Sequence, residues 1–142
     1  MNLKASPLLA IYQPYPIGVS KAEGHYIVDE NGKKYLDLFS GLGVHALGHR
    51  NQVVIESIMG QLDKYLHLSN AFVTEPTIKL AIQLRKFTFP SKIFFVNSGT
   101  EANEAALKLV RKWGKSQGKQ EMLVLEDSFH GRTMGSLSLT AQ

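Results

Sequence analysis

An apolar run, a polar turn and a long amphipathic stretch follow one another in IFFVNSGTEANEAALKLVRKW, Ile93 to Trp113. Ile93, Phe94, Phe95 and Val96 are β-formers bounded by turn residues, which predicts a short buried strand. Asn97, Ser98, Gly99 and Thr100 break it. The stretch behind them carries Glu101 and Glu104 in its first turn and Lys108, Arg111 and Lys112 towards its end, the charge order that suits a helix dipole. Ala102, Ala106, Leu109, Val110 and Trp113 share one face by three-four spacing, and that face is the expected buried one. A strand running through a tight turn into such a helix points to an α/β architecture.

The turn has two readings. The first backbone N–H groups of a helix lack partners within it and point out of its positive end, so they suit an anion such as phosphate. Gly99 lets a ligand approach the backbone and Thr100 adds a hydroxyl. Ser98 and Glu101 also fit the S-x-x-E capping box, which needs no ligand. The residues of the turn alone favour the cap.

The length of 142 residues and a hydrophobic fraction of 44% suffice for one core and not for two large domains. Lys plus Arg number 16 against 12 acidic residues, a formal +4. The densest basic stretch, Arg111 to Lys119, falls at a helix end, which fits a solvated terminus better than a nucleic-acid stripe. With no cysteine, disulfides and thiolate metal sites are excluded. No stretch reads as a signal peptide, transit peptide or membrane span, so a soluble cytoplasmic protein is expected, with no membrane and no nucleic-acid partner.

Residues 1–20 carry Pro7, Pro14 and Pro16 and read as an extended arm, with Tyr12 and Tyr15 as aromatic handles. His25–Asp29 and Lys34–Leu38 read as strands joined at Asn31-Gly32, a hairpin signal because both residues can take positive φ. The uncharged SGLGVHALG, Ser40 to Gly48, is either a buried connector or a loop lining a pocket. A helix is expected from Asn51 or Gln52 to His67, with Val53, Val54, Ile58, Leu62, Tyr65 and Leu66 inward. A second follows over 74–87, with Thr74 as N-cap, Glu75 and Pro76 in the first turn, and Ile78, Leu80, Ala81, Ile82 and Leu84 facing the core. Gly114 and Gly118 are expected to close the helix after Trp113 and its loop.

Met122 to Leu125 is another apolar run. Two strands joined by a helix make a βαβ unit, expected to be parallel with a right-handed crossover. Ligands of open α/β sheets sit beyond the carboxyl ends of the strands. The SGT turn and Glu126–Gly131, EDSFHG, both lie just past such ends and are expected to face one crevice. Phe129 there is either a half-buried core residue or a platform for a flat heterocycle. Arg132 offers a planar fork for a carboxylate, or is a solvated surface arginine. His130 is either a ligand contact or a turn residue. His45 and His49 have H-x-x-x-H spacing without the glutamate of HExxH and in a glycine-rich context, so no metal site is expected. No G-x-S-x-G elbow, P-loop or dinucleotide fingerprint is present.

Taken together, GHYIVDENGKKYLDLFSGLGVHALGH, HLSNAF, FFVNSGTEANEAALKLVRKW and FHGRTMGSLSLTAQ resemble the class III, ornithine/acetylornithine-type aminotransferases, in family order from about Tyr12 to Gln142. The resemblance implies pyridoxal 5'-phosphate on the fold type I scaffold, and it turns the reading of the SGT turn from cap to phosphate site. It implies that Gly99 and Thr100 bind the cofactor phosphate with Ser98 beside them, that Phe129 stacks on the pyridine ring, and that Arg132 pairs with a substrate carboxylate. It further implies a small-domain arm and hairpin over residues 1–48, the start of the large cofactor domain over 49–142, and a homodimer in full-length members. Within the family the chain is most similar to the acetylornithine branch, since Leu42 is apolar where ornithine-specific relatives tend to carry a tyrosine. That implies amino transfer between N-acetylornithine and 2-oxoglutarate, in arginine synthesis.

Two departures stand out. His49-Arg50-Asn51-Gln52 replaces the family's His-x-His-Pro. Family members are also far longer, and their Schiff-base lysine and the acidic residue at the pyridine nitrogen lie beyond the position of Gln142. Lys92 and Lys108 match no catalytic position. The expectation is therefore an incomplete fold type I α/β transferase with no catalytic residue in the chain, inactive alone. The rival substrates are ornithine, 4-aminobutyrate and succinyldiaminopimelate, each with a carboxylate for Arg132. The rival class is a non-catalytic domain that binds a phosphorylated ligand.

Overall fold

The computed structural model describes residues 7–141, and its contacts divide them into two compact units at Phe72/Val73. The first unit is built on a three-stranded antiparallel sheet in the order β1-β2-β3, with β1 at Val19–Glu23, β2 at Tyr26–Asp29 and β3 at Lys34–Leu36. Ile27 pairs with Ala22 on one side and Tyr35 on the other. The expected hairpin is therefore present, although its turn works differently. Gly32 takes a φ of 82° while Asn31 keeps a negative one, and the Asp29 carboxylate organises the reversal. It accepts the amides of Asn31 at 2.8 Å and Lys33 at 2.9 Å and the Tyr35 hydroxyl at 3.0 Å.

β1 corrects the expected arm, which ran through Ser20; the arm's residues 1–6 lie outside the described residues. VSKAE has no alternating apolar pattern and is mostly exposed, so it gives no periodic signal. Its hydrogen bonds to β2 hold it, with a bulge between Val19 and Lys21. At the bulge the Ser20 hydroxyl donates to the carbonyls of Val28 and Asp29.

Beyond β3 the chain makes a short turn, α1 (Ser40–Gly43), in which Gly41 and Leu42 lie in the left-handed region. Leu42 and Val44 are 84% and 78% exposed, so this stretch is no buried connector. Helix α2 runs over Gln52–Leu62 and ends short of the expected His67. The Asn51 side chain caps it by accepting the Val54 amide, which serves in place of a proline start.

In the second unit, α3 spans Glu75–Phe87 and α4 Gly99–Ser116. Thr74 stands at the N-cap of α3, but its hydroxyl pairs with Thr77 instead of a backbone amide. Gly114 does not stop α4; it is buried inside it. The helix ends where Gly118 turns with a φ of 67° and the Lys119 and Gly118 amides reach back to the carbonyls of Gly114 and Lys115, a Schellman closure. A short helix, α5 (Met134–Leu139), follows and packs on α4; the sequence reading did not anticipate it.

The expected βαβ ladder is absent among the described residues. Neither Ile93–Val96 nor Met122–Leu125 is assigned to a strand. Strands joined by a crossover need not be neighbours in a sheet, and each is then left without its ladder partner. The apolar faces behave likewise. On α4 the buried apolar residue is Leu107 at 9% exposure, whereas Leu109 and Trp113 of the expected face are 70% and 56% exposed. Those on α2 and α3 also stay open, with Val53 at 71% and Leu80 at 51%. No helix among the described residues is long and apolar enough to cross a membrane.

Candidate functional site

At its N-terminus α4 is doubly capped. The Ser98 hydroxyl accepts the Glu101 amide at 3.2 Å, and the Glu101 carboxylate reaches back to the Asn97 amide at 2.6 Å. The Ala102 amide goes to the Ser98 carbonyl. Among the described residues the amides of Gly99 and Thr100 have no such acceptor. The capping box and an anion site are therefore compatible, because the cap uses the amides of Asn97 and Glu101 on either side. A Cβ added at Gly99 would meet nothing within 4 Å, so the backbone there is uncrowded.

Thr100 faces the second motif. Gly131 is buried with a φ of 136°, and a Cβ built on it would stand 2.5 Å from the Thr100 hydroxyl oxygen and 2.8 Å from its methyl carbon. Only glycine allows this approach. The loop that carries Gly131 is tied through both backbone groups of His130. The Asn103 side chain donates to the His130 carbonyl at 2.6 Å, and the Thr140 hydroxyl accepts the His130 amide at 3.1 Å. Ser136, fully buried, donates its hydroxyl to the Thr100 carbonyl at 3.2 Å. The SGT turn and the FHG loop thus meet, as their positions after two apolar runs predicted.

Glu104 sits between the two. Its carboxylate accepts the Thr133 hydroxyl and, at 3.0 Å, the Ser136 amide. These bonds, the Thr133 hydroxyl foremost, hold its pKa below the ordinary glutamate value against partial desolvation, with help from the Gly135 amide and the Lys108 charge. Thr100, Asn103, Glu104 and Leu107 fall on one face by three-four spacing. Sequence reasoning missed this face by following the larger apolar stripe. The available signal was the pair of polar residues one turn ahead of a leucine.

Phe129 is 55% exposed, and the Arg132 guanidinium lies over its ring at 5.3 Å from the centroid, a cation–π distance. The aromatic surface and the cationic fork expected from the sequence therefore form one pair. The donors at Gly99 and Thr100, the uncrowded backbone there and an exposed ring two residues before Gly131 suit a phosphorylated aromatic ring. Ser98 spends an acceptor site on the cap and keeps a hydroxyl hydrogen to donate.

In the first unit, His49 pairs with Asp37, Nε2 to Oδ2 at 2.6 Å, and its ring lies 4.5 Å from that of His45. Asp37 also accepts the Phe39 and Ser40 amides. These bonds, led by that of Ser40, hold its carboxyl below the ordinary value. Among the described residues no group of three or more His, Cys, Asp or Glu is placed to hold a metal ion.

The family model described as Aminotransferase class-III matches residues 10–142. Acetylornithine aminotransferase of Xanthomonas campestris pv. campestris is 43% identical over 139 residues, covering 94% of this chain and 34% of the relative. The solved N-acetylornithine aminotransferase from Stenotrophomonas maltophilia K279a is similar at a TM-score of 0.73 and 36% identity, over 84% of this chain and 34% of that one. The taurine:2-oxoglutarate aminotransferase from Bifidobacterium kashiwanohense, in complex with PLP and glutamate, reaches 0.83 at 28% identity, over 94% of this chain and 30% of that one. The chain thus spans about a third of the length of the curated relatives it matches.

Proposed function

The chain belongs to the class III aminotransferases and carries part of their fold type I scaffold; from that premise we propose that it supplies the cofactor-phosphate and ring-contact part of an enzyme moving an amino group between N-acetylornithine and 2-oxoglutarate. The cofactor of this reading is pyridoxal 5'-phosphate, and its pathway is arginine synthesis. The similarity to acetylornithine aminotransferases supports the choice of donor.

When bound, pyridoxal phosphate supplies an electron-withdrawing ring that spreads the negative charge developing on the substrate. The amides of Gly99 and Thr100 donate to its phosphate, the hydroxyls of Thr100 and Ser98 add to them, and the positive end of α4 favours the anion. Phe129 covers one face of the ring and keeps water from it. Arg132 takes a substrate carboxylate through its fork. No residue of the chain is assigned the covalent role. Residues 1–48 are assigned to the small domain of the complete enzyme and 49–142 to the large one; the contact boundary at Phe72/Val73 is a property of this chain by itself. The reading includes a homodimeric, cytoplasmic enzyme acting on small amino and 2-oxo acids.

The observation that carries this reading is the contact between Thr100 and Gly131, which joins a set of free anion donors to the loop bearing the aromatic ring. Pyridoxine 5'-phosphate, which has no aldehyde to react with surface lysines, tests it. Saturable amide shifts at Gly99 and Thr100 with this probe, and none with unphosphorylated pyridoxine, are expected by NMR. Thr100→Val should weaken binding about tenfold, the worth of one hydrogen bond to a charged group. Equal shifts with both compounds, or none with either, would overturn the reading.

A further inference from the structure

We propose that Glu104, assisted by Asn103, is a positioning residue: the two side chains seat the loop from Phe129 to Thr133 on the first turns of α4 and so set Phe129 and Arg132 at a fixed place beside the Gly99–Thr100 donors. The proposal rests on the aminotransferase reading for its purpose, but its geometry stands independently.

Glu104 lies one turn into α4, on the same face as Thr100. Its bonds do not run along its own helix. They cross to the loop and to the start of α5, taking the Thr133 hydroxyl and the Gly135 and Ser136 amides. Those two amides belong to the first turn of α5, which a six-residue helix cannot satisfy internally. Lys108 is the charged neighbour on α4 itself. Gly135 is pressed against the carboxylate, since a Cβ there would lie 2.5 Å from Oε2. Asn103, the adjacent residue, ties the other side of the loop through the His130 carbonyl. The loop is thus clamped on both sides of Arg132. A carboxylate that touches neither phosphate nor ring governs where both ligand contacts stand.

The test uses the full chain by NMR. In the absence of ligand, an NOE between the Thr100 side chain and Gly131 is expected in the wild type and in Glu104→Gln, whose amide oxygen still accepts. It is expected to vanish in Glu104→Leu. With pyridoxine 5'-phosphate, Glu104→Leu should bind within about twofold of the wild type at Gly99 and Thr100 while losing the response at Phe129, with rescue in Glu104→Gln. Should Glu104→Leu lose helix content, Thr133→Val removes the loop's own donor, leaves α4 intact and is expected to lose the Phe129 response likewise. A persisting Thr100–Gly131 NOE in Glu104→Leu or Thr133→Val overturns the proposal. A wild type that keeps the NOE but ignores the probe overturns the cofactor reading instead and leaves the clamp standing.

Discussion

Thr100 and Gly131 stand so close that a methyl group on Gly131 would overlap the Thr100 hydroxyl, 2.5 Å from its oxygen. Two motifs far apart in sequence meet here, and among the described residues no large apolar core stands behind the contact. The buried residues around it are Ser136, at 0% exposure, and a single leucine, Leu107, at 9%. The contact is therefore set by hydrogen bonds and by the missing side chain of a single glycine.

Gly131→Ala should accordingly separate the loop from α4. The substitution adds an overlap and places alanine at a φ of 136°, and overpacking of this kind costs about 1–3 kcal/mol. Hydrogen exchange at the Ser136 amide is expected to accelerate to match, while exchange within α2 stays unchanged. Protection of Ser136 equal to wild type would refute the close approach.

Ser98→Ala removes the hydroxyl that accepts the Glu101 amide. Loss of an N-cap of this type costs about 1 kcal/mol. Fraying should be confined to the first turn of α4, read as a fall in Cα secondary shifts at Gly99 to Asn103. Pyridoxine 5'-phosphate binding should weaken with it, because the amides of Gly99 and Thr100 lose their fixed direction. Unchanged shifts in that turn would mean that Glu101 and the Asn97 amide suffice as a cap.

These sites differ in how readable they were. The hairpin and the SGT start of α4 are written in turn and capping residues, whose preferences are local, and they stand where the sequence put them. The meeting of SGT with FHG followed from both motifs ending apolar runs. The buried face of α4 was not readable from hydrophobicity, since Ala102, Ala106, Leu109, Val110 and Trp113 show which stripe a partner can cover, whereas the buried apolar residue is Leu107 and the start of α5 bonds to Glu104. β1 was silent because VSKAE is held by hydrogen bonds to β2, which leave no apolar period in the sequence. The roles of Asp29, Asp37 and Glu104 depend on partners brought by folding, which no periodicity reports.

Gly60 offers a prediction of opposite sign. It lies inside α2 with an ordinary helical backbone, and a Cβ there would meet nothing within 4 Å. Gly60→Ala therefore adds no clash and removes the entropy that glycine loses on entering a helix, a gain of about 1 kcal/mol. Greater helicity at Ser57–Leu62 and slower amide exchange there should follow. Reduced protection would show that this face of α2 is covered.

Acid should loosen three specific points of the chain. The carboxyls of Asp29, Asp37 and Glu104 all lie below their ordinary values, 3.8 for the aspartates and 4.5 for the glutamate. The largest cause differs at each: the Lys33 amide for Asp29, the Ser40 amide for Asp37 and the Thr133 hydroxyl for Glu104. A carboxyl whose folded pKa is depressed binds fewer protons folded than unfolded, so its contribution is complete above the unfolded value and is lost as pH falls through the folded one. Neutral pH therefore keeps all three clamps, and the loss is confined to pH below the ordinary carboxylate range. Amide shifts of Lys33, Ser40 and Ser136 should each titrate there with the carboxyl they contact, and Asp29→Asn, Asp37→Asn and Glu104→Gln should each abolish one titration only. A titration at Ser136 centred at or above 4.5 would contradict the bonds drawn to Glu104.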